Sequence, residues 1–107
     1  MRSEVTRKKI NPGDKIKVTF THRERELVLE HTLSGPDVTG SLATTRQVGG
    51  KFPVPYTLEE IDELLGYIAA EANHCKSKKL QKELDALHER LQRLMESFDD
   101  GQWQTAF

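Results

Sequence analysis

From Lys15 to Thr21 the chain alternates strictly between polar and apolar residues, with Ile16, Val18 and Phe20 on one side. A period of two is that of a half-buried strand. The turn signal Asn11-Pro12-Gly13-Asp14 stands immediately before it. Phe52, Val54 and Tyr56 repeat the alternation, interleaved with Pro53 and Pro55. Proline donates nothing to a ladder, so the second strand is expected at an edge or paired on one side only.

Between the strands the pattern changes. Thr21 and Glu24 have the spacing of a capping box, and the good helix formers Arg25, Glu26, Leu27, Leu29 and Glu30 follow. Gly35-Pro36 reads as a stop, which predicts a helix over about 22–34. The rival is a hairpin returning Leu27-Val28-Leu29 beside Val18, but His22-Arg23-Glu24-Arg25 offers no Gly, Asn or Asp for the turn. Residues 35–50 lack periodicity and carry four glycines, so they read as one long loop with fast amide exchange.

The second half is dominated by two apolar stripes at spacings of three and four. Leu58, Ile61, Leu65, Ile68, Ala72 and Cys75 form the first, opened by a second capping box at Thr57 and Glu60. Leu80, Leu84, Leu87, Leu91, Leu94 and Phe98 form the other. The five-residue step from Cys75 to Leu80 swings the face by about 140° on one continuous helix. A break at 73–77, with Ser77 as a new N-cap, instead turns both stripes inward as a helical hairpin; a single bent helix is the alternative. The two strand–Thr–helix units also echo one another, which shared capping chemistry accounts for.

The expected architecture is therefore α+β: a small two-stranded sheet covered by three helices, in the order β-α-β-α-α, with a C-terminal helical hairpin. Residues 1–9 are expected to form a flexible basic tail, 10–98 a single domain, and 99–107 a C-terminal tail. At 107 residues the length suits one domain. Leu, Val, Ile and Phe make up about a quarter of the chain, just above the range in which disorder is expected.

Charge and cysteine content narrow the function classes. No run of about 18 apolar residues is present, and no apolar stretch follows the charged N-terminus, so neither a spanning helix nor a secretory signal is expected. The expected location is cytoplasmic, without membrane contact. The single Cys75 excludes an intramolecular disulfide framework. The net charge of -1 conceals an asymmetry. Residues 1–25 hold eight basic and three acidic side chains, whereas 26–107 hold eight and fourteen. A basic arm can contact nucleic acid, but a dedicated module usually carries an overall positive balance.

Candidate chemistry is sparse. Gly35-Pro36-Asp37-Val38-Thr39-Gly40-Ser41 imitates a phosphate loop but lacks the lysine that must reach the phosphates. His74 and Cys75 are sequence neighbours and diverge on a helix, so they do not make a nucleophile–base pair. No histidine spacing supplies a metal site, and no cofactor is expected. Glu59, Glu60, Asp62 and Glu63 could be read as catalytic carboxylates, but a helix start explains them. The chain carries no helix-turn-helix, RRM, KH or OB signature.

These readings leave a small non-enzymatic protein-interaction module, bound to a protein partner or self-associating through the C-terminal helices. The interaction candidates are Leu91, Leu94, Met95, Phe98, Trp103 and Phe107, because the last helix carries more leucine than a two-stranded sheet obviously covers. The alternative is a nucleic-acid-binding accessory protein using Arg7, Lys8, Lys9, Lys76, Lys78, Lys79 and Lys82.

Overall fold

A computed structural model describes residues 8–32 and 35–99. Along them run β1 (Lys8–Lys9), β2 (Lys15–Phe20), α1 (His22–His31), α2 (Pro36–Thr44), β3 (Phe52–Thr57), α3 (Leu58–His74), α4 (Lys78–Glu96) and β4 (Phe98–Asp99). The fold is α+β. Strands β2 and β3 pair antiparallel, with Ile16 opposite Tyr56, Val18 opposite Val54 and Phe20 opposite Phe52. All six side chains are buried, while Lys15, Lys17 and Pro55 on the other face are exposed. The period of two thus places one face in the core and leaves the other wet. Pro53 and Pro55 share the edge of β3 that faces away from β2, where no N–H is missed. On that edge the Pro53 carbonyl accepts from the Thr45 hydroxyl at 2.7 Å.

Both capping boxes form. The Thr21 hydroxyl accepts from the Glu24 N–H while the Glu24 carboxylate accepts from the Thr21 N–H, and Thr57 and Glu60 do the same. The segment after β2 is a helix, as its capping box implies, but it stops at His31 with Thr32 as C-cap rather than near residue 34. The Thr32 hydroxyl turns back onto the Val28 carbonyl at 2.7 Å.

Helix α3 ends at His74, and Cys75 caps it through its N–H to the Glu71 carbonyl. Ser77 opens α4, its hydroxyl accepting from the Leu80 N–H at 3.2 Å. The break turns the two stripes toward each other as a hairpin. Ile61, Leu64, Leu65, Ile68 and Ala72 are buried from α3, and Leu84, Leu87 and Leu91 from α4. They join the sheet residues in one core, against which Leu80, Leu94, Met95 and Phe98 pack partly buried.

The expected 35–50 loop is corrected over much of its length, because α2 occupies its first half. Gly35-Pro36 does not close α1, which ends at His31, but opens α2, with Gly35 as N-cap. A proline at the first helical position loses no hydrogen bond and arrives with a helical φ. Val38 and Leu42, one turn apart, are both fully buried. The Thr39 and Thr44 hydroxyls donate to the carbonyls of Gly35 and Gly40, four residues back, at 3.1 and 3.0 Å. Polar side chains that hide the apolar pair from the eye are thus satisfied within the helix itself. The remaining loop is closed by Val48 and Lys51, which bridge across Gly49 and Gly50. Both glycines have positive φ, 59° and 81°, as a two-residue hairpin turn requires.

At the inner ends of the two expected tails the chain forms short strands. Lys8 and Lys9 lie in β1, which pairs in parallel with Phe98 and Asp99 of β4. The Lys8 N–H donates to the Ser97 carbonyl at 2.9 Å. Ile10 and Phe98 both pack against the core, which brings these short segments side by side. Residues 1–7 and 100–107, with Arg7, Trp103 and Phe107, lie outside the described residues.

A buried hydrogen bond ties α2 to the sheet: the Tyr56 hydroxyl donates to the Val38 carbonyl. Burial, with the nearby Glu60 carboxylate second, pushes this phenol well above its ordinary range. Tyr56→Phe is expected to lower stability by about 1 kcal/mol in urea melts. Below about pH 10 the phenol is neutral in both states and contributes no pH dependence. Above it the unfolded phenol ionises while the folded one does not, so wild-type stability falls as pH rises. The Tyr56→Phe variant is expected to lack that part of the fall.

Candidate interaction surface

The leucines expected to be available for association are largely used inside the fold. Leu84, Leu87 and Leu91 are buried, and Leu94, Met95 and Phe98 are partly buried against the core. Leu91 in particular, at 0% exposure, offers nothing to a partner. Tertiary packing on the sheet and α3 covers the stripe more completely than its length suggests. The outward face of α4 is polar: Lys78, Gln81, Lys82, Asp85, Gln92 and Arg93 are all exposed.

The two lysine groups fall at opposite ends of α4. Lys8 and Lys9 sit beside Phe98 and Asp99, just past its C-terminus. Lys76, Lys78, Lys79 and Lys82 cluster at its N-terminus, around the hairpin turn. At 1.5 Å per residue, the 19-residue helix holds the groups about 28 Å apart. They do not form one patch among the described residues.

The tip lysines differ from the arginines in how they are spent. Arg23 bonds Glu83 at 2.7 and 2.9 Å and Glu26 at 2.6 Å. Hydrogen bonding to Glu83, and then to Glu26, raises the Arg23 guanidinium further above its already high range; the same bond lowers the Glu83 carboxyl. Arg90 grips Glu24 at 2.8 and 2.9 Å and reaches the Thr19 carbonyl at 2.8 Å, tying α4 to α1 and β2. Arg25 stacks 4.8 Å above the Phe52 ring and donates to the carbonyls of Leu42 and Ala43. It thereby caps the C-terminus of α2, where a cation is favoured. Lys76, Lys78, Lys79 and Lys82 form no ion pair among the described residues.

Helix α3 presents the other half of the surface. Its inner face is buried, and its outer face runs through Glu59, Asp62, Glu63, Gly66, Ala70 and His74, all exposed. Glu60 is held in the capping box, whereas Glu59, Asp62 and Glu63 form no ion pair among the described residues. Beyond the acids lies a hollow of about 440 Å³ lined by Tyr67, Ala70, Glu71 and His74. The 67-70-71-74 spacing is helical and was present in the chain, but its mixed chemistry gave no apolar stripe to follow. A second hollow, of about 390 Å³, is lined by His22, Arg23, Arg25, Glu26, Leu29 and Glu30. Its arginines are already committed to the pairs and stacking above.

The candidate reactive groups are tied into local structure. The His74 ring nitrogen Nδ1 lies 2.7 Å from the Ala70 carbonyl, and the Cys75 thiol contacts the carbonyls of Ala72 and Ser77 at 3.7 and 3.6 Å. Among the described residues, no three His, Cys, Asp or Glu side chains converge as a metal site, and no helix is long and apolar enough to cross a membrane. Set against known protein families, curated proteins and solved structures, the chain matches none.

Proposed function

We propose that this chain is a non-catalytic protein-interaction module that binds through the outer face of α3 together with the hairpin tip. The observation that carries the reading is the charge gathered there outside any ion pair among the described residues. Glu59, Asp62 and Glu63 lie at one end of the face and Lys76, Lys78, Lys79 and Lys82 at the other, with the hollow at Tyr67–His74 between them. Arg23, Arg25, Arg90 and Arg93 by contrast bind carboxylates or backbone carbonyls of the same chain.

The lysines strengthen the reading because their position is unfavourable for the isolated fold. Lys78 and Lys79 stand in the first turn of α4, which has no acidic residue. A cation at the positive end of a helix dipole costs about 0.3–1 kcal/mol. The C-terminus of α3 nearby offsets part of that cost, but three of the four lysines belong to α4.

Ala70→Arg tests the reading. The side chain is exposed, so the melting temperature is expected to stay within a few degrees of wild type. In an extract of cells producing the full chain, wild type is expected to migrate in a native assembly well above 12.2 kDa, and Ala70→Arg to leave it. Wild type migrating as a free monomer, or an assembly indifferent to Ala70→Arg, would count against the reading.

A further inference from the structure

We infer that the partner of this face is a second copy of the chain, docked antiparallel along α3; the inference rests on the interaction reading above. The order of charge along the face is self-complementary. It is acidic at Glu59, Asp62 and Glu63, uncharged at Gly66, Tyr67 and Ala70, carries the half-buried Glu71 in the hollow, and is basic at the tip from Lys76 onward. A parallel copy would set acid against acid and lysine against lysine. An antiparallel copy brings the acidic end of each face toward the lysine-bearing tip of the other.

The register follows from the chain. A twofold axis at position 68, midway between Gly66 and Ala70, brings position 68 + n of one copy opposite 68 − n of the other. Gly66 then faces Ala70 of the second copy and Asp62 faces its His74, while Glu59 lies beyond the end of the second α3, toward the turn that carries Lys76 and Lys78. A closed, isologous contact of this kind is the commonest form of homo-oligomer.

Two local features fit that contact. A Cβ built on Gly66 would meet nothing within 4 Å, so the fold of one copy does not require glycine there. A mid-helix glycine costs about 0.5–1 kcal/mol relative to alanine; opposite another helix it permits close approach. The second is the hollow beside Ala70. A twofold of this type keeps the Tyr67 flank facing the same flank of the other copy, with each Tyr67 opposite position 69. Each tyrosine thus lies over the hollow lined by Ala70, Glu71 and His74 of its neighbour.

The contact is short. A 17-residue helix is about 25 Å long, which places the interface toward the low end of specific contacts. Association should therefore be reversible and concentration-dependent, and weakened by salt because its end contacts are exposed charges.

Sedimentation equilibrium of the purified full chain at about 0.1 mM, where a complex with a Kd of about 10 µM is mostly associated, tests this. Wild type is expected near twice 12.2 kDa. The paired reversals Glu59→Lys with Asp62→Lys, and Lys76→Glu with Lys78→Glu, should each weaken self-association at least about tenfold, the equivalent of 1.4 kcal/mol. An equimolar mixture of the two reversed proteins should restore the dimer mass, since both end contacts are then opposite in sign. A monomeric wild type overturns the inference, as does a dimer that ignores both reversals. A purified monomer alongside an Ala70→Arg-sensitive assembly in extracts would remove the second copy while leaving the interaction face standing.

Discussion

Leu87→Asp is expected to unfold the domain outright. Leu87 is 2% exposed and lies on the face of α4 turned toward α3, among Leu84, Leu91 and the apolar side of the hairpin. The substitution removes a leucine from the core and leaves a carboxylate there with no partner, a combination worth several kcal/mol. A domain of this size has about 5–15 kcal/mol in hand. Leu87→Ala, which removes the side chain without adding charge, should cost about 2–5 kcal/mol and stay folded. Gln92→Asp, on the exposed side of the same helix, should stay within about 0.5 kcal/mol of wild type. Far-UV circular dichroism melts of the three variants separate the outcomes. A Leu87→Asp protein that keeps its melting temperature would mean that α3 and α4 do not pack through these residues.

Leu42→Ala is expected to cost about 2–5 kcal/mol, because Leu42 is fully buried on α2 and truncation leaves a cavity beneath it. An unstructured loop at the same place would register almost no change. Urea melts give the value, and amide exchange supplies a second reading. The N–H of Leu42, inside a docked helix, should exchange slowly, while those of Gly49 and Gly50 should exchange fast. A cost under about 0.5 kcal/mol would return residues 36–44 to the loop.

Leu42 also marks where the chain is hardest to read. Elements announced by long periodic runs or paired caps are legible: Ile16-Val18-Phe20 with its alternation, Thr21/Glu24 and Thr57/Glu60 with their boxes, and the phase slip between Cys75 and Leu80. In each, several local signals agree. Helix α2 has only two turns and a bit, with the apolar pair Val38 and Leu42 set among threonines and glycines. Its one strong signal, Gly35-Pro36, suits the end of one helix and the start of the next equally well. The choice is made by burial against the sheet and by the Tyr56 hydroxyl on the Val38 carbonyl, neither of which is local in sequence.

The surface was less legible than the core, for a related reason. Counting leucines on α4 overestimates what is left exposed, because Leu80, Leu94 and Phe98 find partial cover on the core that a stripe drawn on one helix cannot display. The lysines at 76–82 and the acids at 59–63 were visible as residues. That the lysines stay unpaired while Arg23 and Arg90 take their glutamates depends on which helices pack side by side. The hollow at Tyr67 likewise depends on tertiary packing rather than on any local pattern.

The antiparallel contact along α3 is tested most directly by pulsed electron spin resonance on full-length chains carrying Cys75→Ser and one spin-labelled cysteine, at Asp62→Cys or Asn73→Cys. Both sites are exposed on α3. With the twofold at position 68, two labels at 62 are offset along the helix axis by about 18 Å and two at 73 by about 15 Å, at 1.5 Å per residue. A label at 62 on one copy and one at 73 on the other are offset by only about 1.5 Å. The mixed sample should therefore contain a distance shorter than either sample of a single kind. A mixed distance longer than both, or no dipolar coupling between copies, would contradict the antiparallel contact.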